Sequence, residues 1–296
     1  MKYLYSLMIL GLFTTIDSNA QQQKKTARKT ITTTTSTTTT TTSTSSQKIE
    51  SSPFAIGRTD KIQSNILGES RTLNIYLPDG YHPDSAKTYP VIYLLDGSAN
   101  EDFIHVAGLT QFLSMTETMP AAIVVGIANV DRKRDYTFPT TIAADIKDYP
   151  TTGHSEKFIS FIGKELQPYI EKNYKTNASK MLIGQSLGGL LATEILLKSP
   201  ALFNQYMIVS PSLWWDNESL LAKAPELLKS LPATKTKVYV AVGKEGAVME
   251  GDAKKLAETL KTTNLEVHFV YFPEGNHANV LHNALYKGFE LFNSKK

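Results

Sequence analysis

Residues 181–189 read M-L-I-G-Q-S-L-G-G, and this stretch decides the fold. An apolar run leads into Gly184, and a second apolar run follows the G-x-S-x-G pattern without a break. The pattern is typical of a sharp strand-to-helix turn, in which the serine has a strained backbone and the glycines prevent clashes between the two arms. The sequence therefore predicts a strand over 181–184, an exposed hydroxyl at Ser186 and a helix over 187–198. The alternative is a glycine-rich turn with an incidental serine.

Outward from this turn, apolar runs alternate with segments of helical periodicity. The predicted strands cover residues 71–77, 89–95, 121–127, 181–184, 205–209, 237–242 and 265–272. The predicted helices cover residues 101–115, 156–174, 187–198, 219–231, 252–262 and 279–292. This alternation predicts an α/β fold with a mainly parallel central sheet, helices on both faces and antiparallel strands at the N-terminal edge. Ligands bind at the carboxyl ends of the strands in such sheets, so the residues that follow each strand form the candidate site.

A serine hydroxyl needs a general base, and the chain has six histidines. His277 lies in the loop directly after the last predicted strand. It also comes last in the chain order serine, acid, histidine. The sequence therefore predicts His277 as the base for Ser186, with the loop histidine His154 as the substitute.

The third member of such a site is a carboxylate that orients the imidazole and stabilises its cationic form. Glu245 follows the strand at 237–242, and Gly243 and Gly246 flank it as a tight loop requires. Glu245 is therefore the preferred acid. Three other carboxylates stay open, each with a helix cap or a solvated charge as its alternative: Glu250, Asp252 and Asp216.

The oxyanion of an acyl-transfer reaction needs two preorganised donors. The backbone amide of Leu187 follows the serine and begins a helix, which makes it the first candidate. The second donor is expected from the loop after the strand at 89–95, as the amide of Gly97 or Ser98.

The N-terminus is read separately from the folded part. A secretory signal peptide is predicted over 1–20, from Lys2, the 13-residue apolar run 4–16 and the small residues before Gln21. The apolar run is too short for a transmembrane helix, because a bilayer span needs about 20 residues. Residues 32–46 are all threonine or serine, so residues 21–50 are predicted to be a disordered tether. The folded α/β domain is expected over 51–296, and the protein is expected in a periplasm or outside the cell.

Composition excludes several classes of protein. Hydrophobic residues make up 41% and charged residues 20%, which are globular values. The chain has no cysteine, which excludes disulfides, thiolate zinc sites and a cysteine nucleophile. Six basic and two acidic residues lie within 1–50, so the rest of the chain is nearly neutral and lacks the basic surface that nucleic-acid binding needs. Without an H-E-x-x-H motif, the chain is expected to use neither a metal nor a cofactor.

Several segments together resemble the "Putative esterase" family of α/β-hydrolases. The likeness extends over about residues 58–294, and its motifs are Y-L-L-D-G (93–97), D-R-K-R-D-Y-T (131–137), F-I-S-F-I-G-K-E-L-Q-P-Y-I (158–170), G-Q-S-L-G-G-L-L-A (184–192), S-P-S-L-W-W-D-N (210–217) and F-P-E-G-N-H-A (272–278). The family includes siderophore trilactone esterases, esterase D and feruloyl esterases. Gln185 departs from the histidine that is common before the nucleophile, and its side chain is expected to point away from the reaction.

The resemblance implies hydrolysis of a small-molecule ester, a siderophore lactone or an acylated sugar, through an acyl-enzyme on Ser186. It also implies that an arginine from the loop after 121–127, Arg132 or Arg134, meets an anionic aromatic ligand. The alternative for both arginines is a salt bridge with Asp131 or Asp135. Trp214 and Trp215 are candidates for a stacking wall, with core packing of at least one as the alternative.

Two other functions are weighed against the esterase. The first is a catalytically inactive surface-binding module held on the threonine-rich tether, which the presence of both Ser186 and His277 disfavours. The second is a serine peptidase, which needs an extended cleft that no insertion in this chain would build.

Overall fold

The apolar runs form the centre of an eight-stranded sheet in a computed structural model that describes residues 50–231 and 235–294. The strands are β1 (Arg58–Ser64), β2 (Glu69–Tyr76), β3 (Tyr89–Leu94), β4 (Ile123–Ile127), β5 (Thr176–Gln185), β6 (Gln205–Val209), β7 (Lys237–Gly243) and β8 (Glu266–Phe272). Their spatial order is β1-β2-β4-β3-β5-β6-β7-β8. The β1–β2 and β2–β4 pairs are antiparallel and all other pairs are parallel, which confirms the predicted mixed α/β sheet.

Helices cover both faces of this sheet. They are α1 (Phe103–Met115), α2 (Arg132–Tyr136), α3 (Ala143–Asp148), α4 (Ser155–Phe161), α5 (Gln167–Asn173), α6 (Leu187–Lys198), α7 (Trp215–Leu227), α8 (Ala247–Leu260) and α9 (Val280–Asn293). Alternate residues of β3 divide the core: Ile92 and Leu94 pack with α1 and α9, whereas Tyr93 and Val91 pack with α4 to α8. The central strands are therefore buried on both faces, as their continuous apolar sequence requires.

The structure differs from the sequence-based elements in several places, and three of these have a clear physical reason. Strand β1 was not predicted, because its sequence R-T-D-K-I-Q-S is mostly polar at an exposed edge. The helix predicted over 156–174 contains a π-helical turn at Ile162–Leu166, where Glu165 accepts hydrogen bonds from the backbone amides of Asn65 and Ile66. Helix α7 begins before Ser219, with Asp216 to Glu218 in the left-handed region at φ from +51° to +59°.

The parallel strands bring six strand ends to one edge of the sheet. β3 to β8 all run in the same direction, so their following loops meet at their carboxyl ends. The residues from Pro53 onward form a compact unit. The predicted signal peptide and nearly all of the predicted tether lie outside the described residues. In the described part of the chain, none of the helices is long and apolar enough to cross a membrane.

Candidate active site

Ser186 lies on a strained turn between β5 and α6. Its backbone has φ +58° and ψ −120°, a conformation that side-chain-bearing residues rarely adopt. Glycine at 184 is required, because a Cβ atom there would lie 2.3 Å from the Gly188 carbonyl oxygen. The turn is fixed to the next strand by a 3.1 Å hydrogen bond from the Ser186 amide to the Val209 carbonyl. The sequence around Ser186 therefore produces the turn predicted for it.

His277 and Glu245 form a close pair at the neighbouring strand ends. Nδ1 of His277 lies 2.5 Å from Oε2 of Glu245. The Glu245 side chain is 3% exposed and that of His277 is 49% exposed, so the imidazole bridges a buried carboxylate and the solvent. This geometry fixes the proton of the neutral imidazole on Nδ1 and leaves Nε2 as an acceptor.

The second carboxylate oxygen of Glu245 is also occupied. Oε1 accepts hydrogen bonds from Ser210 Oγ at 2.5 Å and from the Gly243 amide at 3.1 Å. Burial alone raises the pKa of Glu245, but the hydrogen bonds from His277, Ser210 and Gly243, together with the charge of His277, more than offset it and lower the pKa below its usual value. Glu245 is therefore ionised at neutral pH and suited to stabilise an imidazolium.

The Ser186 hydroxyl has its hydrogen bond with another serine. Ser186 Oγ and Ser212 Oγ are 3.3 Å apart, and among the described residues no hydrogen bond joins Ser186 Oγ to the His277 ring. The loop of His277 is nevertheless at the turn, because Gln185 Nε2 donates to the His277 carbonyl oxygen at 2.6 Å. The contact is with the backbone of the loop, so the expectation that the Gln185 side chain points away from the reaction stays a prediction.

The other three candidate acids have different environments. Glu250 Oε1 accepts from the amides of Glu245 and Gly246, so Glu250 caps the start of α8 and holds the loop of Glu245. Asp216 accepts from Thr140 Oγ1 and Ser219 Oγ. Asp252 is buried within α8, and its Oδ2 has no hydrogen-bond partner among the described residues. Of these four described carboxylates, Glu245 is the one that pairs with His277.

The three predicted oxyanion donors differ in availability. The Leu187 amide is at the first position of α6, where helical amides have no partner within the helix. The Gly97 amide donates to the Ile127 carbonyl at 3.0 Å, so the prediction of Gly97 as a donor is corrected. The Ser98 amide donates to Glu101 Oε2 at 3.2 Å, an exposed contact that a bound oxyanion would have to replace.

Both arginines predicted for substrate binding form ion pairs. Arg132 binds both carboxylate oxygens of Asp96, at 2.6 and 2.8 Å, and also donates to the Gln185 carbonyl. Arg134 binds both oxygens of Glu69 and one oxygen of Asp135. Both arginines therefore form salt bridges, as the alternative interpretation expected. Arg134 pairs with Asp135 as that alternative proposed, whereas Arg132 pairs with Asp96, a partner that the sequence did not indicate.

The two tryptophans have different environments. Trp215 is fully buried, and its indole donates to the Phe138 carbonyl at 3.0 Å. It cannot contact a substrate, which corrects its assignment to a stacking wall. Trp214 is half-buried and packs at 6.2 Å from the Tyr149 ring, so it alone of the pair keeps an accessible face. His154 precedes α4, and its backbone amide donates to the Arg134 carbonyl.

Two residues of the site were missed from the sequence. Ser210 and Ser212 flank Pro211 after β6, and they contact Glu245 and Ser186 respectively. Ser210 also has a left-handed backbone at φ +43°, an unusual conformation for a residue with a Cβ atom. The S-P-S sequence directly after a buried strand was the available signal.

Comparison with known proteins places these residues in context. The family model described as "Putative esterase" matches residues 64–285, which include Ser186, Glu245 and His277. Ferri-bacillibactin esterase BesA of Bacillus subtilis is 28% identical over 256 residues, covering 78% of this chain and 88% of that protein. The iron(III) salmochelin esterase of Escherichia coli is 26% identical over 243 residues, covering 76% of this chain and 55% of that protein.

Solved structures give the same result for the fold. An IroE-like serine hydrolase from Shewanella oneidensis has a TM-score of 0.73 at 32% identity, with 80% of each chain covered. The BES protein from Bacillus cereus has a TM-score of 0.73 at 30% identity, covering 84% of this chain and 100% of that chain. The eight-stranded sheet therefore has the architecture of known serine hydrolases.

Proposed function

The chain belongs to the "Putative esterase" family and is an ester hydrolase, and we propose that it cleaves a carboxylic ester of a small molecule. In this proposal Ser186 is the nucleophile, His277 is the general base and Glu245 is the acid that orients the imidazole. The observation that carries this proposal is the 2.5 Å hydrogen bond between His277 Nδ1 and the buried Glu245 carboxylate. It leaves Nε2 of the imidazole able to accept a proton, and the bond from Gln185 joins the loop of His277 to the strand end before Ser186. The inactive alternative has no such observation in its favour.

The reaction is an acyl transfer through a covalent intermediate. The Ser186 hydroxyl rotates away from Ser212 and gives its proton to Nε2 of His277 as Oγ attacks the ester carbonyl. The negative charge that develops on the carbonyl oxygen is stabilised by the amides of Leu187 and Ser98. The C–O bond to the alcohol then breaks, and His277 returns the proton to the leaving oxygen. Water, activated by the same imidazole, releases the acid and restores Ser186.

The names of two relatives support a siderophore lactone as the substrate. The Bacillus subtilis relative is named a ferri-bacillibactin esterase, and the Escherichia coli relative an iron(III) salmochelin esterase. Acylated sugars are the second substrate class to be compared. The N-terminal sequence further supports export of the protein, through cleavage before Gln21.

A substrate panel tests this proposal. Purified protein is assayed with p-nitrophenyl butyrate, ferric and iron-free catecholate trilactones, and feruloylated and acetylated sugars. We expect hydrolysis of the nitrophenyl ester and of at least one trilactone, and complete loss of turnover in Ser186→Ala. Ser114→Ala, which removes a hydroxyl bonded to the Thr110 carbonyl in α1, is the matched control and should keep full activity. Turnover that survives in Ser186→Ala would refute the nucleophile.

A further inference from the structure

We infer that Gln185 is a positioning residue that fixes the loop of His277 relative to the nucleophile. The inference rests on the proposed function and concerns the same site. Gln185 ends β5 and directly precedes Ser186, and its side-chain amide donates to the His277 carbonyl oxygen at 2.6 Å. One side chain thus joins the backbone of the nucleophile to the backbone of the base, although the two residues are far apart in sequence.

The loop of the base needs such a contact because most of it is exposed. Between β8 and α9, Glu274 and residues 276–279 are exposed, and only Gly275 is buried. The start of the loop is held by a 2.7 Å bond from the Lys244 amide to the Gly275 carbonyl. Further along, the side chains of Asn276 and Asn279 accept hydrogen bonds from amides of the loop itself. These contacts stabilise the shape of the loop, whereas the Gln185 bond sets its distance from Ser186.

Gln185 is in turn held firmly on the nucleophile side. Its backbone pairs with Val209 of β6, in the parallel register that continues from Met181. Its carbonyl oxygen accepts a 3.3 Å hydrogen bond from Arg132, whose guanidinium is paired with Asp96. The donor therefore lies on a paired strand end, and its bond to the loop of His277 is exposed at the surface.

The ring contact with Glu245 does not make this bond redundant. The 2.5 Å bond from His277 Nδ1 to Glu245 orients the ring, but a ring can keep that bond while the loop backbone shifts. A displacement of about 1 Å in a catalytic group costs on the order of 100-fold in rate. The Gln185 amide restrains this displacement.

The test uses Gln185 variants that either lose or restore the hydrogen bond to the His277 carbonyl oxygen. Gln185→Met keeps the length of the side chain without an amide, and Gln185→Asn keeps the amide but is one methylene too short to reach the His277 carbonyl. Gln185→His, with the imidazole that is common in the family, restores a ring N–H donor. The matched control is Gln167→Met, because Gln167 Nε2 makes the same kind of bond to the Leu202 carbonyl at 2.9 Å. For each variant, kcat, KM and the thermal midpoint are measured with p-nitrophenyl butyrate.

We expect Gln185→Met and Gln185→Asn to lower kcat by about 10- to 100-fold with little change in KM. Gln185→His should recover most of kcat, and Gln167→Met should lower the thermal midpoint while keeping kcat. Unchanged kcat in both Gln185→Met and Gln185→Asn would overturn the inference. So would an equal loss in all three Gln185 variants that follows the thermal midpoint, since that result describes packing alone. An inactive wild-type protein would instead refute the proposed function.

Discussion

Replacing Glu245 with glutamine tests the charge in the site without changing its shape. The carboxylate makes three hydrogen bonds, to His277, Ser210 and Gly243, and the last two are donors to Oε1. In Glu245→Gln the amide oxygen stays with these two donors, so the amide NH2 faces Nδ1 of His277. The imidazole must then carry its proton on Nε2, where it cannot accept the proton of Ser186. The imidazolium that forms during the reaction also loses its buried counter-charge.

The expected loss in kcat is about 10³- to 10⁴-fold, which corresponds to about 4 to 5.5 kcal/mol in the activation free energy. Steady-state hydrolysis of p-nitrophenyl butyrate measures it, and KM should change little. The control is Glu250→Gln, which alters the neighbouring carboxylate that caps α8 and should cost far less activity. If Glu245→Gln keeps a tenth of the wild-type kcat, or if Glu250→Gln is the more damaging change, the assignment of the acid is wrong.

Three further predictions concern stability and the walls of the site. Burial and the charge of Glu218 raise the pKa of Asp252 to about 6. The folded protein therefore holds this proton more tightly than the unfolded chain, and the free energy of unfolding falls as the pH rises from the ordinary aspartate range to about 6. Asp252→Asn should raise the free energy of unfolding by about 2 kcal/mol at pH 8 and by much less at pH 4, measured by urea titration. Arg132→Met should lower the free energy of unfolding by about 2 kcal/mol, because Asp96 loses its cationic partner and keeps the hydrogen bond from Asn129. The double mutant with Asp96→Asn should recover part of this loss. Trp215→Phe should lower the thermal midpoint and leave KM unchanged, because Trp215 is buried. Trp214→Ala should change KM. A change in KM for Trp215→Phe with none for Trp214→Ala would contradict this account of the two side chains.

The sequence predicted those features that depend on local pattern and chain order. The strand and the helix on either side of Ser186 lie so close together that a Cβ atom on Gly184 would clash with the helix backbone. The G-x-S-x-G pattern was therefore enough to predict the shape of this turn. The parallel strands bring the loops of Glu245 and His277 together at one edge, and alternation of apolar runs was sufficient to predict that edge. The tight loop flanked by Gly243 and Gly246 distinguished Glu245 from its neighbours.

Features that depend on pairing between distant side chains could not be predicted in this way. Arg132 pairs with Asp96 across the sheet edge, a partner that no sequence spacing indicates. Trp214 and Trp215 are identical in type and adjacent, yet only their directions in the folded chain decide that Trp215 is buried. The contact between Gln185 and the His277 carbonyl likewise depends on a rotamer and on the path of a loop 92 residues away.

Covalent labelling tests the role of Ser186 most directly. The protein is treated with a fluorophosphonate, and intact mass followed by peptide mapping locates the adduct. We predict one adduct per chain, on the peptide that contains Ser186, together with no labelling of Ser186→Ala and slow labelling of His277→Ala. An adduct on any other residue, or equal labelling of Ser186→Ala and the wild-type protein, would contradict the account.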